Sequence, residues 1–454
     1  MEIQFDRLFV GGLVVTGAGI QRADVGARGE KIAAVGPGLP QGGAAEVIDI
    51  GGRYLFPGIV DAHLHPVYVD DIEDCSRVGA YGGVTTLLHF ISARAGRGLL
   101  EQVREMLQDG VSRSLLDFGL HASVFDAPNM LDEIPAAMEL GVRTFKFFLP
   151  YVKQGWTTDD YHLVKAMDIL HGLGGMAMVH CENGGAVDYL EDKILRQPGA
   201  SALDYGRSRP AVLEEEAIFR AIRLAELTEC PLYIAHVTAA RSLPHIRRAH
   251  NEGQPVYAET CSHYLLLNEE IMAERGALAK IGPPIRTEAD RLALWEAVRD
   301  GTLQVISTDH APKSRDLSEP FLKQAFGAPD VETLLPLVYD EGVNTGRISL
   351  VRMIQVLCEN PARVFGLYPR KGTIAVGSDA DLVVFDPTCE FTIRADNQHS
   401  NAGYTLYEGR SVLGWPEMSF QRGHRVLDAG EVVAERGAGK FLATLESSVE
   451  LLSS

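Results

Sequence analysis

Within its first fifty residues the chain alternates short apolar runs with glycine-rich turns: LFVGGLVV, KIAAVG, AEVIDIGG. Runs this short and turn-bounded predict small antiparallel strands rather than helices. From Tyr54 the rhythm changes. Eight apolar stretches (LFPGIVD, VTTLLHF, DFGLHAS, TFKFF, GMAMVH, PLYIAH, PVYAET and LQVISTD) alternate with longer segments such as GRGLLEQVREMLQDG and RPAVLEEEAIFRAIRLAELTE. The longer segments carry apolar residues at helical spacing. Eight strand-plus-helix units over roughly 300 residues predict an α/β protein built on a (β/α)8 TIM barrel. After Pro361 strand signals return in KGTIAVGSDADLVVFDP, SVLGWPEMSF and HRVLDAGEVVAERG. The two glycine-bounded ends are expected to meet in one small β-sandwich domain. The organisation therefore reads as residues 1–54 and 366–442 in the sandwich, 55–365 in the barrel, and a polar, loosely held tail over 443–454.

Composition narrows the class without naming a reaction. With 46% apolar and 23% charged residues in 454, the chain has the make-up of a soluble globular enzyme. Its net charge of −19 opposes a nucleic-acid footprint, which needs a basic patch. No apolar run reaches membrane-spanning length, and the start MEIQFDRLFVGG has no secretory pattern. The six cysteines contain no C-x-x-C pair and read as reduced thiols of a cytoplasmic protein. Cys181 and Cys261 lie beside candidate site residues, but buried packing is the expected role of both.

Chemistry enters at the strand ends, because catalytic groups in such a barrel sit at the carboxyl ends of the strands. The first strand runs into VDAHLH, and residues two apart in a strand point to the same side, so His63 and His65 leave one face together. The fourth strand holds Lys146. The fifth ends in His180, the sixth in His236, and the eighth in Asp309 followed by His310. A single histidine in an apolar strand is ordinarily a hydrogen-bonded core residue. Four at the tips of three strands, with an aspartate and a lysine, point instead to a divalent cation such as Zn²⁺, which prefers imidazole nitrogen and carboxylate oxygen.

The stretches VDAHLH, TFKFFLPY, MVHCENG, YIAHVTAARS, AETCSHYLLL, KIGPPIR, STDHAP and KGTIAVGSDADLVVFDP resemble the amidohydrolase superfamily, in order and over nearly the whole chain. Within it the likeness is to cyclic amidohydrolases: hydantoinases and dihydropyrimidinases, dihydroorotases and allantoinases. The resemblance implies a two-metal site. His63, His65 and Asp309 would hold the more buried metal, His180 and His236 the other, and a carboxylated Lys146 (N6-carboxylysine, formed with carbon dioxide) would bridge them. An ammonium has no lone pair, whereas a carbamate carries two oxygens, one for each metal. The resemblance further implies a shared water of lowered pKa as nucleophile, Asp309 as the proton carrier to the leaving ring nitrogen, and Tyr151 as donor to the developing oxyanion. Tyr151 reads equally as an aromatic capping the barrel. His310, Glu182 and Glu259 are candidates for orienting ligands, and Asn183 and Arg286 for fixing loops.

The substrate is less legible. Dihydroorotases carry an arginine two residues after the paired histidines; here Pro66, Val67 and Tyr68 follow, and the first arginine is Arg77. That departure argues against dihydroorotate. Gly282 and Phe326 stand where hydantoinase-like chains usually have serine and asparagine, which reshapes the pocket without forbidding the ring. The link from His65 to Gly82 reads as clipped, giving a more open entrance. The expected activity is ring opening of a hydantoin, dihydropyrimidine or cyclic imide. The alternatives are an allantoinase or dihydroorotase-like ureide hydrolase and a non-catalytic scaffold. A homo-oligomer, dimer or tetramer, is expected from the resemblance, with no nucleic-acid or membrane partner.

Overall fold

The computed structural model describes residues 4–91 and 96–444. Its centre is a ring of eight parallel strands: β1 Ile59–Leu64, β2 Val84–Phe90, β3 Asp117–Ser123, β4 Thr144–Phe148, β5 Met176–His180, β6 Leu232–Ile234, β7 Val256–Cys261 and β8 Val305–Ser307. Each pairs in parallel with the next. The ring closes where the His65 N–H donates to the His310 carbonyl at 2.8 Å and the Thr308 N–H donates to Asp61 Oδ1 at 3.2 Å. Every residue of these strands is buried, which is why they read as continuous apolar runs rather than alternating ones. Leu88, Phe90, Met178, Tyr233, Tyr257 and Val305 belong to one apolar cluster, joined by Phe365 and Leu442.

Helices wrap the ring, with ends set by local chemistry. Asp71 accepts from the N–H groups of Glu73 and Asp74 and so starts helix Ile72–Tyr81; Asp159 caps helix Asp160–Leu173, which Gly174 ends at φ +68°. No helix among the described residues is long and apolar enough to cross a membrane.

The termini build two further sheets. Four strands from the first fifty residues form one, in the order Lys31–Gly36, Asp24–Arg28, Phe5–Val10, Ala44–Asp49. A seven-stranded sheet joins Tyr54–Pro57, Leu13–Thr16 and Gly19–Arg22 to Leu382–Thr392, Ser411–Gln421, His424–Asp428 and Glu431–Val432. Phe9, Val25, Ile32, Leu55, Leu382 and Phe420 share the core of this unit. Two of its pairings are parallel, Phe5–Val10 with Ala44–Asp49 and Leu13–Val14 with Tyr54–Leu55, where antiparallel strands are expected from the turns.

Three further expectations need correction. LFPGIVD is two elements: Tyr54–Pro57 pairs with Leu382–Phe385 in the terminal sheet, and β1 starts after Gly58. A Cβ on Gly58 would lie 2.0 Å from Thr85 Oγ1, so the chain changes sheets where only glycine fits. KGTIAVGSDAD forms no strand. Lys371, Asp379 and Asp381 turn inward instead, and Lys371 Nζ meets Asp117 at 2.6 Å, Asp381 at 2.6 Å and Asp379 at 3.0 Å. The stretch after Phe441 is pinned rather than loose: Leu442 is buried, its N–H donates to Phe118 O at 2.7 Å, and the Thr444 N–H donates to Gly141 O at 3.0 Å. The rest of the expected tail, 445–454, lies outside the described residues.

The Lys371 cluster ties the barrel to the C-terminal segment, and its side chain is only 1% exposed. Removing the cation leaves buried Asp381 without a cation partner and takes one from Asp117 and Asp379, which keep Arg422 and the pair Lys31 and Arg370 respectively. Lys371→Met is therefore expected to cost about 3–5 kcal/mol, read as a lower midpoint in denaturant unfolding. An unchanged midpoint would mean that the cluster contributes nothing to holding the two parts.

Candidate metal centre and active site

The strand tips converge. His63 belongs to β1 and His65 follows it, Lys146 is the middle residue of β4, and His180 closes β5. His236 and Asp309 lie two residues beyond β6 and β8, at φ +40° and +47°. Tyr151, three residues beyond β4, sits at φ +69°. Non-glycine residues rarely adopt such angles, and each costs about 1–3 kcal/mol. Here the left-handed turn re-aims three side chains into one space as their strands end.

That space is a cavity of about 810 Å³ whose wall includes His63, His65, Lys146, His180, His236 and Asp309, together with Tyr151, Gly282 and Phe326. Asp309 Oδ1 lies 3.0 Å from His65 Nε2 and 3.3 Å from His63 Nε2. Ligating atoms of His63, His236 and Asp309 all fall within 4.8 Å of one another. The His180 and His236 rings are 4.4 Å apart, and those of His63 and His236 are 5.5 Å apart. These nine residues thus face one mouth.

Carboxylates behind the rings set their orientation. Glu259 holds His63 Nδ1 and also accepts from the Tyr233 hydroxyl at 2.8 Å and the Ser307 hydroxyl at 2.7 Å. Burial pushes the Glu259 carboxyl up, but the His63 ring and Lys146 outweigh it and hold it below its usual range. Glu182 accepts from His180 Nε2 at 2.8 Å and from Arg209 at 2.6 Å. Burial opposes its ionisation, yet Arg209 and His180 bring it down to about 2. With Nδ1 of His63 and Nε2 of His180 donating to carboxylates, the opposite ring nitrogens keep their lone pairs for the cavity. Burial lowers His65 to about 4 and lowers His180 and His236, so these imidazoles are neutral near pH 7.

The buried polar atoms facing this space lack partners in the way a cation site requires. Lys146 Nζ, His63 Nε2 and a ring nitrogen of His236 make no hydrogen bond among the described residues. Unpaired buried polar atoms are costly, so three in one cavity indicate a group that they bind. Imidazole and carboxylate donors suit a borderline divalent ion. Burial lowers the Lys146 amine to about 8. At pH 7 that leaves about one lysine in ten neutral, against roughly one in 2,500 for an unperturbed amine, and only the neutral amine can take up carbon dioxide.

The remaining candidates hold the frame. His310 does not reach the cavity: its Nε2 meets Asp70 at 3.1 Å and its Nδ1 accepts the Asp330 N–H at 3.1 Å, which fixes the backbone beside Asp309. Asn183 caps helix Gly184–Ile194, and Arg286 binds Glu214 at 3.0 Å and Thr238 at 2.9 Å, both fixing loops. Cys181 and Cys261 are buried and packed. The link after His65 is short, six residues before helix Ile72–Tyr81, and Arg77 is spent on Glu73 at 3.0 Å. Sequence spacing does not reveal every residue that shapes the site. Arg209 clamps Glu182, and Lys280 donates to the carbonyls of Phe321, Leu322 and Gln324, drawing the segment before Phe326 over the cavity.

Comparison with known proteins fits this geometry. Residues 154–412 match the model of the amidohydrolase family. A D-hydantoinase of Ralstonia pickettii is 39% identical over 456 residues, covering 96% of this chain and 98% of that protein. The chain belongs to the amidohydrolase family. A D-hydantoinase of Rhizobium radiobacter is 37% identical, again over 96% of this amidohydrolase and 98% of the relative. Among solved structures, the dihydropyrimidinase from Brevibacillus agri NCHU1002 superposes with a TM-score of 0.93 at 33% identity, covering 97% of this chain and 99% of that one. The amidohydrolase fold therefore extends over both the barrel and the terminal sheets.

Proposed function

We propose that the protein is a binuclear metal-dependent hydrolase that opens a cyclic amide of the hydantoin or dihydropyrimidine kind. The observation that carries the reading is the convergence of four imidazoles, a carboxylate and an unpartnered buried lysine on one cavity. His63, His65 and Asp309 would hold one Zn²⁺, His180 and His236 a second, and Lys146, as its carbamate, would bridge them. When bound, two such ions acidify a shared water and polarise the scissile carbonyl.

The chain's own residues supply the rest. Asp309 takes the proton from the attacking water and delivers it to the ring nitrogen as the C–N bond breaks, giving a carboxylate at one end and a ureido NH2 at the other. Tyr151 donates its hydroxyl to the oxygen that gains charge; burial holds its phenol well above the usual range, so it stays a donor. A Cβ at Gly282 would stand 3.4 Å from the Tyr151 oxygen and 3.3 Å from Phe326, so glycine leaves that side of the cavity to the ring.

A cytoplasmic, homo-oligomeric enzyme belongs to the same reading. All six cysteines are free, and Tyr161, Tyr189 and Leu227 are exposed on the helices outside the barrel.

The test is a panel of hydantoins, dihydropyrimidines, cyclic imides and allantoin, followed for ring opening with metal-loaded protein. Turnover of hydantoin or dihydrouracil supports the reading; turnover of allantoin alone overturns its substrate class, and inertness toward all of them overturns the hydrolase. Glu259→Gln is expected to weaken metal binding about 10–100-fold by releasing His63, measured by competition with a chelator. Unaltered affinity would show that His63 is held by something else.

A further inference from the structure

Lys313 lies six residues beyond the end of β8 and lines the same cavity as His65 and Asp309. Its ammonium stands 3.9 Å from the ring centroid of Tyr68, which rises from the short link after β1. The two loops are tied together: the Val69 N–H donates to the Pro312 carbonyl at 3.3 Å. The ring face can occupy one of the three N–H bonds, leaving the others for an acceptor.

No carboxylate pairs with Lys313 among the described residues, although the chain carries 61 acidic against 42 basic side chains. Two other cations lining the cavity are neutralised: Arg113 meets Asp71 and Asp109, and Lys323 meets Glu319. Arg315, two residues on, donates to the carbonyls of Ala325 and Gly327 and likewise has no acidic partner. Burial and the neighbouring Arg315 lower the Lys313 amine to about 8, with Asp309 the anion that opposes them. In the proposed enzyme Asp309 is occupied with cations and proton transfer, so an external anion would be the natural counter-charge.

We propose that Lys313 is a specificity residue that recognises an anionic substituent on the cyclic amide, a carboxylate carried on a side arm of the ring. The inference rests on the hydrolase reading and deepens it. A single ammonium on a flexible stem suits a monoanion; a phosphate would call for more donors. The paired histidines are followed by Pro66, Val67 and Tyr68, so the cation comes from the opposite side of the ring closure instead.

The experiment compares hydantoin-5-acetic acid with its carboxamide, equal in shape but neutral, on the metal-loaded full chain. Wild type is expected to favour the acid by about tenfold or more in kcat/KM and in Kd from calorimetry. Lys313→Met should bring both ratios close to one, while Lys313→Arg should keep the preference. Melting curves check that each variant is folded. A wild type that does not prefer the acid, or a folded Lys313→Met that still does, overturns the inference and leaves the hydrolase standing if the carboxamide is opened. Tighter binding of the acid that depends on Lys313, with turnover of neither compound, supports the anion site and overturns the hydrolase.

Discussion

Asp309→Asn is expected to lower kcat for ring opening by about 10³-fold or more while the protein stays folded. Asparagine matches aspartate in size and keeps one acceptor oxygen, so the left-handed turn at φ +47° and the approach to His65 can persist. What disappears is the charge and the capacity to take up a proton. Burial alone would push the Asp309 carboxyl up, but His63 and His65 hold it well below the usual range, so the native group is a carboxylate throughout the neutral range. An amide leaving group departs poorly as an anion, so without a proton carrier the C–N bond does not break at a useful rate. Steady-state kinetics beside a thermal melt separate the cases: activity within about tenfold of wild type would remove Asp309 from proton transfer, and a collapsed melt would mark a structural role.

Lys146→Met should abolish turnover without destabilising the metal-free fold. The lysine is 1% exposed and its amine has no hydrogen-bond partner, so as a structural residue it is a cost. Methionine has nearly the same length, is apolar, and would lie among Phe90 and Phe148, whose ring centroids are 5.3 and 5.9 Å from Nζ. The metal-free variant is therefore expected to melt at or above the wild-type temperature. Loss of the bridge should nonetheless cost several kcal/mol of transition-state stabilisation, about 10³-fold or more in kcat. A variant that is less stable but still active would invert both expectations and return Lys146 to the core.

The barrel was legible because buried parallel strands are continuous apolar runs, and its site because so many histidines and an aspartate gather at or just past the ends of those runs, although Asp61, His89 and His121 stand inside them and do not line the cavity. His63, His180 and Asp309 announce themselves in this way. The glycine at which LFPGIVD splits between sheets did not, since the clash that demands it comes from Thr85, a residue of another strand. KGTIAVGSDAD misled because its charged residues answer to Asp117, 254 positions from Lys371. Arg209 and Lys280 were invisible for a related reason. They act on Glu182 and on the rim carbonyls across long sequence separations, and no local spacing encodes such partners. Lys313 was passed over because its significance lies in an absent partner.

In the proposed centre six side chains hold two cations through a modified lysine. Metal analysis of protein prepared under ¹³C-labelled carbon dioxide, combined with ¹³C NMR, reads both the cations and the modification. The expected result is two transition-metal ions per chain and one carbamate resonance, with the resonance absent and one ion or fewer in Lys146→Met. Active protein holding no stoichiometric metal and showing no carbamate would contradict it.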